Sequence, residues 1–150
     1  MSISFCKQQL LLVRAYEFVA STKKCTETRE GAGKGIVKAE KETEGSIIFF
    51  ENGFFENLKG KFKSHNIYRW KFNETAGNIS LEHLRFGFER PVFLFTMIYH
   101  RSGYWISESP YICGKDEYHA AMMIENSSAK LKWSIASEKQ NQQIDYTYFI

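Results

Sequence analysis

Glu51 is the residue of this chain best placed to do chemistry. It ends a run of four apolar residues, Ile47-Ile48-Phe49-Phe50, and in an extended segment it shares a face with Phe49. A carboxylate on an apolar face must find a partner or change its protonation. Arg69 and Lys139 are the candidate partners, and a structural ion pair is the expected arrangement. A carboxyl held in a cavity with a raised pKa would instead suit general acid or base chemistry, with a tyrosine as the second group.

Cys113 and Asp116 form a second pair of reactive types. A cysteine nucleophile needs a base, usually histidine, to form thiolate at neutral pH. His119 is nearest in sequence, but strand parity turns it away from Tyr118, and His83 or His100 would have to be brought in by folding. The plainer reading is a small buried thiol, with Asp116 fixing the turn into the next strand through side-chain to backbone hydrogen bonds. The four histidines, His65, His83, His100 and His119, are dispersed, and no His/Cys set has zinc-ligand spacing. His83, beside Leu81 and Arg85, could point inward as an acid, a base or a haem ligand, against the more common role of a satisfied core or surface residue. Gly31, Gly33 and Gly35 superficially match a phosphate loop, but no strand–loop–helix context and no Gly-Lys-Ser/Thr follow, so a loop or hairpin is expected there. No metal or cofactor is expected.

The charge is weak. A net +3 with scattered cations gives no footprint for nucleic acid. Lys59, Lys61 and Lys63 alternate with Gly60 and Phe62; they read as one solvated strand face, or as a contact for phosphate or a lipid headgroup. Cys6, Cys25 and Cys113 are too few and too odd in number for a disulfide framework, which points to reduced thiols and a cytoplasmic setting. Leu10–Val13 is too short an apolar run for a signal-peptide core or a membrane span.

The elements that would position these groups are strands. A strand over about Val13–Thr22 is expected after a short opening turn or helix. Further segments are expected at about 35–41, 46–51, 54–63, 67–73, 78–86 and 92–99, with Asn52-Gly53 as a hairpin or bulge and turns at 42–45, 74–77 and 100–103. The clearest alternation comes last: Tyr118, Ala120, Met122 and Ile124; Leu131, Trp133 and Ile135; then Ile144, Tyr146, Tyr148 and Ile150. Thirteen Phe, eight Tyr and three Trp suit pleated surfaces and apolar cavities. These features give an all-β, antiparallel barrel of about eight to ten strands with little helix, in one domain spanning 1–150.

Residues of this pattern are similar to a small, mainly bacterial family of uncharacterised lipocalin-like proteins. Its signature, His-x-Cys-x-x-Asp-x-Tyr, is met by Cys113, Asp116 and Tyr118, with Tyr111 in the place of the histidine. Trp133 fits the following Trp-bearing strand. Lys139 fits a Gly-Pro-x-Lys turn in which Ala136 and Ser137 replace Gly-Pro, and Tyr146 and Tyr148 fit the closing strand. Upstream, Phe50-Glu51 with Gly53, Tyr68-Arg69-Trp70, and Phe88 with Arg90-Pro91 and Phe93 resemble further family segments, Leu94 standing where a histidine is expected. The resemblance implies a lipocalin-like, calycin-type barrel with an internal pocket, and no particular reaction.

The functional expectation is a barrel that binds a small apolar or amphipathic molecule. Tyr68, Trp70, Tyr118, Met122, Trp133, Tyr146 and Tyr148 would be its walls, and Glu51, Arg69, Cys113, Asp116 and Lys139 its polar anchors, Arg69 the weakest of them because Tyr68 and Trp70 claim the inner face. Two alternatives stay open. One is a cyclase, isomerase or hydrolase using a carboxylate and a tyrosine; the other is a barrel filled by its own rings, acting through its surface. The oligomeric state is not legible.

Overall fold

Alternation becomes strand along nearly the whole chain. The structure, a computed structural model, describes residues 2–22, 30–107, 111–113, 116–136 and 141–150, with backbone alone for 111–113 and 116. A helix α1 (Ile3–Leu11) precedes β1 (Ala15–Thr22), β2 (Gly31–Thr43), β3 (Ser46–Asn57), β4 (Gly60–Asn73), β5 (Asn78–His83) and β6 (Val92–Arg101). Then come β7 (Tyr104–Ser107), β8 (Tyr111–Cys113), β9 (Asp116–Ile124), β10 (Ser128–Ala136) and β11 (Asn141–Phe149).

All pairings are antiparallel, and β9 pairs back onto β10, which closes the sheet. β7 meets Ala121–Met123 and β8 meets Asp116–Tyr118 along the same edge of β9, so the two lie end to end in one position. The result is a ten-position antiparallel barrel with one short helix. Closure removes the free sheet edges that an open sheet of this length would present.

α1 shuts one end. Ser2 caps it, its Oγ accepting the Phe5 N–H at 3.1 Å. Ile3, Cys6 and Leu10 follow helical spacing and bury one face against the barrel. Lys7 Nζ donates to the Glu44 carbonyl at 2.8 Å and Gln9 Nε2 to that of Glu125 at 3.4 Å, tying the helix to the β2–β3 and β9–β10 turns. Burial of Cys6 in this floor raises its thiol pKa to about 11, an inert state. Above the floor Ile47, Phe49, Trp70, Ile79, Phe95, Met97 and Trp105 are fully buried in the interior.

The expected break at Asn52-Gly53 is absent, because β3 pairs without interruption on both sides there. Gly53 lies opposite Gly35, and a Cβ on either would run into the backbone of the other strand. The pair therefore lets β2 and β3 approach and bend, a strand role for glycine that a dipeptide turn signal does not distinguish. The turn comes later, where Asn57 Oδ1 accepts the Lys59 N–H at 2.8 Å and Gly60 takes a positive φ. The expected gap at 64–66 is likewise filled by a continuous β4. Gly31, Gly33 and Gly35, read as loop, are a stripe on the inner face of β2. Among the described residues no helix is long and apolar enough to cross a membrane.

Candidate functional site

Strand parity places the inner side chains of β1, β3, β4 and β11 at one level of the barrel, and four tyrosines there surround one carboxylate. Glu51 is fully buried. Tyr148 donates its hydroxyl to Oε2 at 2.7 Å and Tyr146 to Oε1 at 3.1 Å. The Tyr68 and Tyr146 hydroxyls lie 3.5 Å apart. The Tyr16 hydroxyl is buried with no hydrogen bond of sound geometry, although Ser64 is near enough to oppose part of its pKa shift.

The expected partners of Glu51 are corrected by this arrangement. Arg69 projects outward and binds Glu42 at 2.9 Å and Glu82 at 3.2 Å. Lys139 lies outside the described residues. Among the described residues no cation pairs with Glu51, and its lone pairs are met by phenols. Burial therefore dominates and raises its pKa to about 7, against the lowering effect of Tyr148 and then Tyr146. Near neutral pH both protonation states are populated. Burial first, and then the Glu51 charge, raise the pKa of Tyr148 and Tyr68. Burial and the neighbouring tyrosine and Glu51 charges do the same to Tyr146, so all three phenols stay protonated as donors.

Stacked rings lead from this cluster toward the end opposite α1. Tyr148 stacks on Tyr146 at 5.1 Å, Tyr146 on Phe18 at 5.0 Å, and Phe18 on Phe55 at 5.9 Å. A Cβ at Gly33 would overlap the Phe18 ring and one at Gly31 the Phe55 ring, so the glycine stripe makes room for the column. Phe18 and Phe55 are half-buried, the first inner rings above Glu51 to meet solvent. A groove of about 1080 Å³ at this end runs mostly over the outer face of the wall, past Glu17, Val19, Lys34, Phe54 and Lys61, and touches the inner residues Phe18, Ala20, Gly31 and Gly33. Glu51 is not in that wall; Tyr146 and Phe18 stand between them.

The remaining expected site residues divide. Tyr68 is buried and stacks on His83 at 4.7 Å; burial and then Arg85 lower the His83 pKa to about 4, which leaves it neutral. Trp133 is interior and meets Phe95 at 6.0 Å, and Met122 is fully buried. Trp70 is sealed against Phe49, with its indole N–H unpartnered, so it fills the barrel and does not line the groove. Tyr118 is half-buried on the inner face of β9. Cys113 and Asp116 face each other as backbone partners between β8 and β9, and their side chains lie outside the described residues. Sequence reasoning did not nominate Tyr16, Phe18 or Phe55, though parity with Ala20 and Glu51 was a usable signal. No group of three metal-ligating side chains occurs among the described residues.

A family model, described as a family of unknown function (DUF6314), matches residues 14–149. The chain belongs to this family. The DUF6314 match takes in all eleven strands, the glutamate and its four tyrosines. Among solved structures, EF1p2_mFAP2b bound to DFHBI is similar with a TM-score of 0.51 and 8% identity, over 99% of this chain and 98% of that one. At that identity the likeness is one of fold, a closed antiparallel β-barrel shared with this DUF6314 member. No curated protein matches the sequence.

Proposed function

We propose that this chain is a one-domain binding protein for a small, partly apolar molecule, held at the open end of the barrel on the Phe55–Phe18–Tyr146 column. One observation carries the reading: a buried carboxyl with phenolic partners alone, at the inner end of a ring column that reaches solvent. Flat apolar faces supply contact area, and the Tyr146–Glu51 and Tyr16 hydroxyl groups supply orientation. A ligand that displaces the Phe18 ring would meet Tyr146 directly. The structural neighbour carries DFHBI, which is compatible with such a use of this fold. Tyr118, Cys113, Asp116 and Lys139 remain candidate contacts. The buried, inert Cys6 fits a reducing, cytoplasmic setting.

The test is native mass spectrometry of the purified protein against its denatured mass, repeated with Phe18→Ala and Tyr146→Phe. A reproducible added mass in the wild type, reduced in both variants, is the expected result. An added mass unchanged in both would place the ligand elsewhere and end this reading.

A second reading has one observation of its own. Glu51 near pH 7 beside Tyr146 is a proton acceptor and donor matched to neutral pH, as an acid–base isomerase or hydrolase would need. It predicts that a bound molecule is chemically converted by the wild type and released intact by Glu51→Gln.

A further inference from the structure

We propose that the lip of the open end, made by the β3–β4 hairpin tip and the connection 84–91, docks on an anionic lipid surface. β4 pairs with β5 from Tyr68 onward, and the Ile67 carbonyl takes the Leu84 N–H, so its first seven residues carry the hairpin past the end of β5. Leu58 stands at the apex and is 82% exposed, the largest value among the exposed apolar side chains. Phe62, on the inner side of the tip, and Phe54, on its outer side, are 49% and 44% exposed. Lys59, Lys61 and Lys63 surround them, with Lys61 Nζ 4.8 Å from the centre of the Phe54 ring.

The connection 84–91 rises at the same end. The Leu84 N–H donates to the Ile67 carbonyl at 2.8 Å, which seats it at the base of the hairpin. Phe86 is exposed, with the Arg85 guanidinium 5.6 Å from its ring, whereas Phe88 lies back over Arg69 on the outer wall at 5.9 Å. Within these two segments Arg85 and Arg90 join the three lysines against Glu56 and Glu89, while Lys34, Glu17, Glu30 and Asp145 line the groove beside Phe54, Leu58 and Lys61. Four large apolar side chains, Phe54, Leu58 and Phe62 on the tip and Phe86 at its base, thus stand exposed among the five cations and two carboxylates of these two segments. This is the composition that rests at a headgroup boundary, where rings and Leu enter the acyl edge and cations meet phosphate.

A bilayer suits the apex better than nucleic acid does. Leu58 has no ring for a base to stack on, whereas it fits an acyl edge. The same tip carries Phe55 at the head of the interior ring column, so a docked lip would face that column toward the lipid.

The experiment is co-sedimentation of the full chain with phosphatidylcholine vesicles and with vesicles containing about one quarter phosphatidylserine, plus a single-stranded RNA binding assay. Expected is binding to the anionic vesicles alone, weakened by salt. Lys59→Gln/Lys61→Gln/Lys63→Gln should weaken it roughly a hundredfold, at about fivefold per cation. Leu58→Ser should weaken it about tenfold. Leu12→Ser, an exposed leucine at the α1 end, should change nothing. These side chains are exposed, and circular dichroism of each variant checks that the fold persists. Absent vesicle binding, equal binding by the lysine or Leu58 variants, equal loss in Leu12→Ser, or RNA binding without vesicle binding would each overturn the proposal.

Discussion

Below Glu51 the barrel is closed by hydrocarbon, and above it by rings that still touch water. At the α1 end Ile3, Cys6 and Leu10 join Ile79, Met97 and Trp105 in one buried apolar cluster. In the upper half the same alternation carries Glu51, Tyr16, Tyr68, Tyr146, Ser64 and His83 on inner faces, then Phe18 and Phe55 half-exposed, then Phe62 and Leu58 in solvent. Closed packing stabilises in proportion to apolar area removed from water, so the floor holds the fold. The upper half gives up some of that gain, and the cost of burying a carboxyl, for groups that can act on something else.

The comparison breaks first on truncation. Trp105→Ala empties a fully buried site and should cost about 3–5 kcal/mol in urea unfolding, whereas Phe55→Ala, half-exposed, should cost about 1 kcal/mol. Equal losses would mean that the two halves are one packed core.

Next in size is a pH effect. Glu51 has a folded pKa of about 7 against 4.5 unfolded, so its acid form favours the fold. That contribution is complete below about pH 4.5, declines as pH rises, and is lost above about pH 7, a difference of roughly 3 kcal/mol. The groups facing it, Tyr16, Tyr68, Tyr146 and Tyr148, stay protonated throughout this window. Urea unfolding at about pH 5 and about pH 8 should therefore show a fall in the wild type beyond that in Glu51→Gln. Parallel behaviour of the two proteins would show that Glu51 ionises in the fold without cost.

Tyr148→Phe sharpens the same point more gently. Loss of the 2.7 Å donor should cost about 1–3 kcal/mol and move the Glu51 midpoint above its present value, as followed by carbon NMR of the carboxyl. A midpoint that falls would place another donor on Glu51. The smallest effect belongs to the lip: Lys61→Ala should change stability by less than about 0.5 kcal/mol, because its ring contact is solvent-exposed. A larger loss would make the lip structural.

Much of the wall was legible in the chain. Period-two alternation at 118–124, 131–135 and 144–150 became β9, β10 and β11, with Ala120, Met122, Leu131, Trp133, Tyr146 and Tyr148 inward as expected. The short-range turn signals fared unevenly. Glu74–Gly77 is a turn and the expected turn at 42–45 narrows to Glu44-Gly45, but Asn52-Gly53 is mid-strand, because what decides its role is Gly35 on the neighbouring strand. The environment of Glu51 was half legible. Its inward parity followed from Phe49, yet its partners sit at Tyr146 and Tyr148, three strands around the barrel and far along the chain. No local spacing reports which phenol closes on which carboxyl, so formal charge pointed to Arg69, whose parity had already turned it outward.

Ring closure between β1 and β11 pairs Ala15 with Phe149 and Tyr16 with Tyr148. Contacts so distant in sequence form late, after the entropy of a long loop has been met, and slow the folding of all-β chains. The strand that seals the wall is also the strand that brings both phenolic donors to Glu51. During synthesis on the ribosome the carboxyl is therefore made early and left without them until the last residues of β11 emerge, so completing the fold and completing the site are one kinetic event.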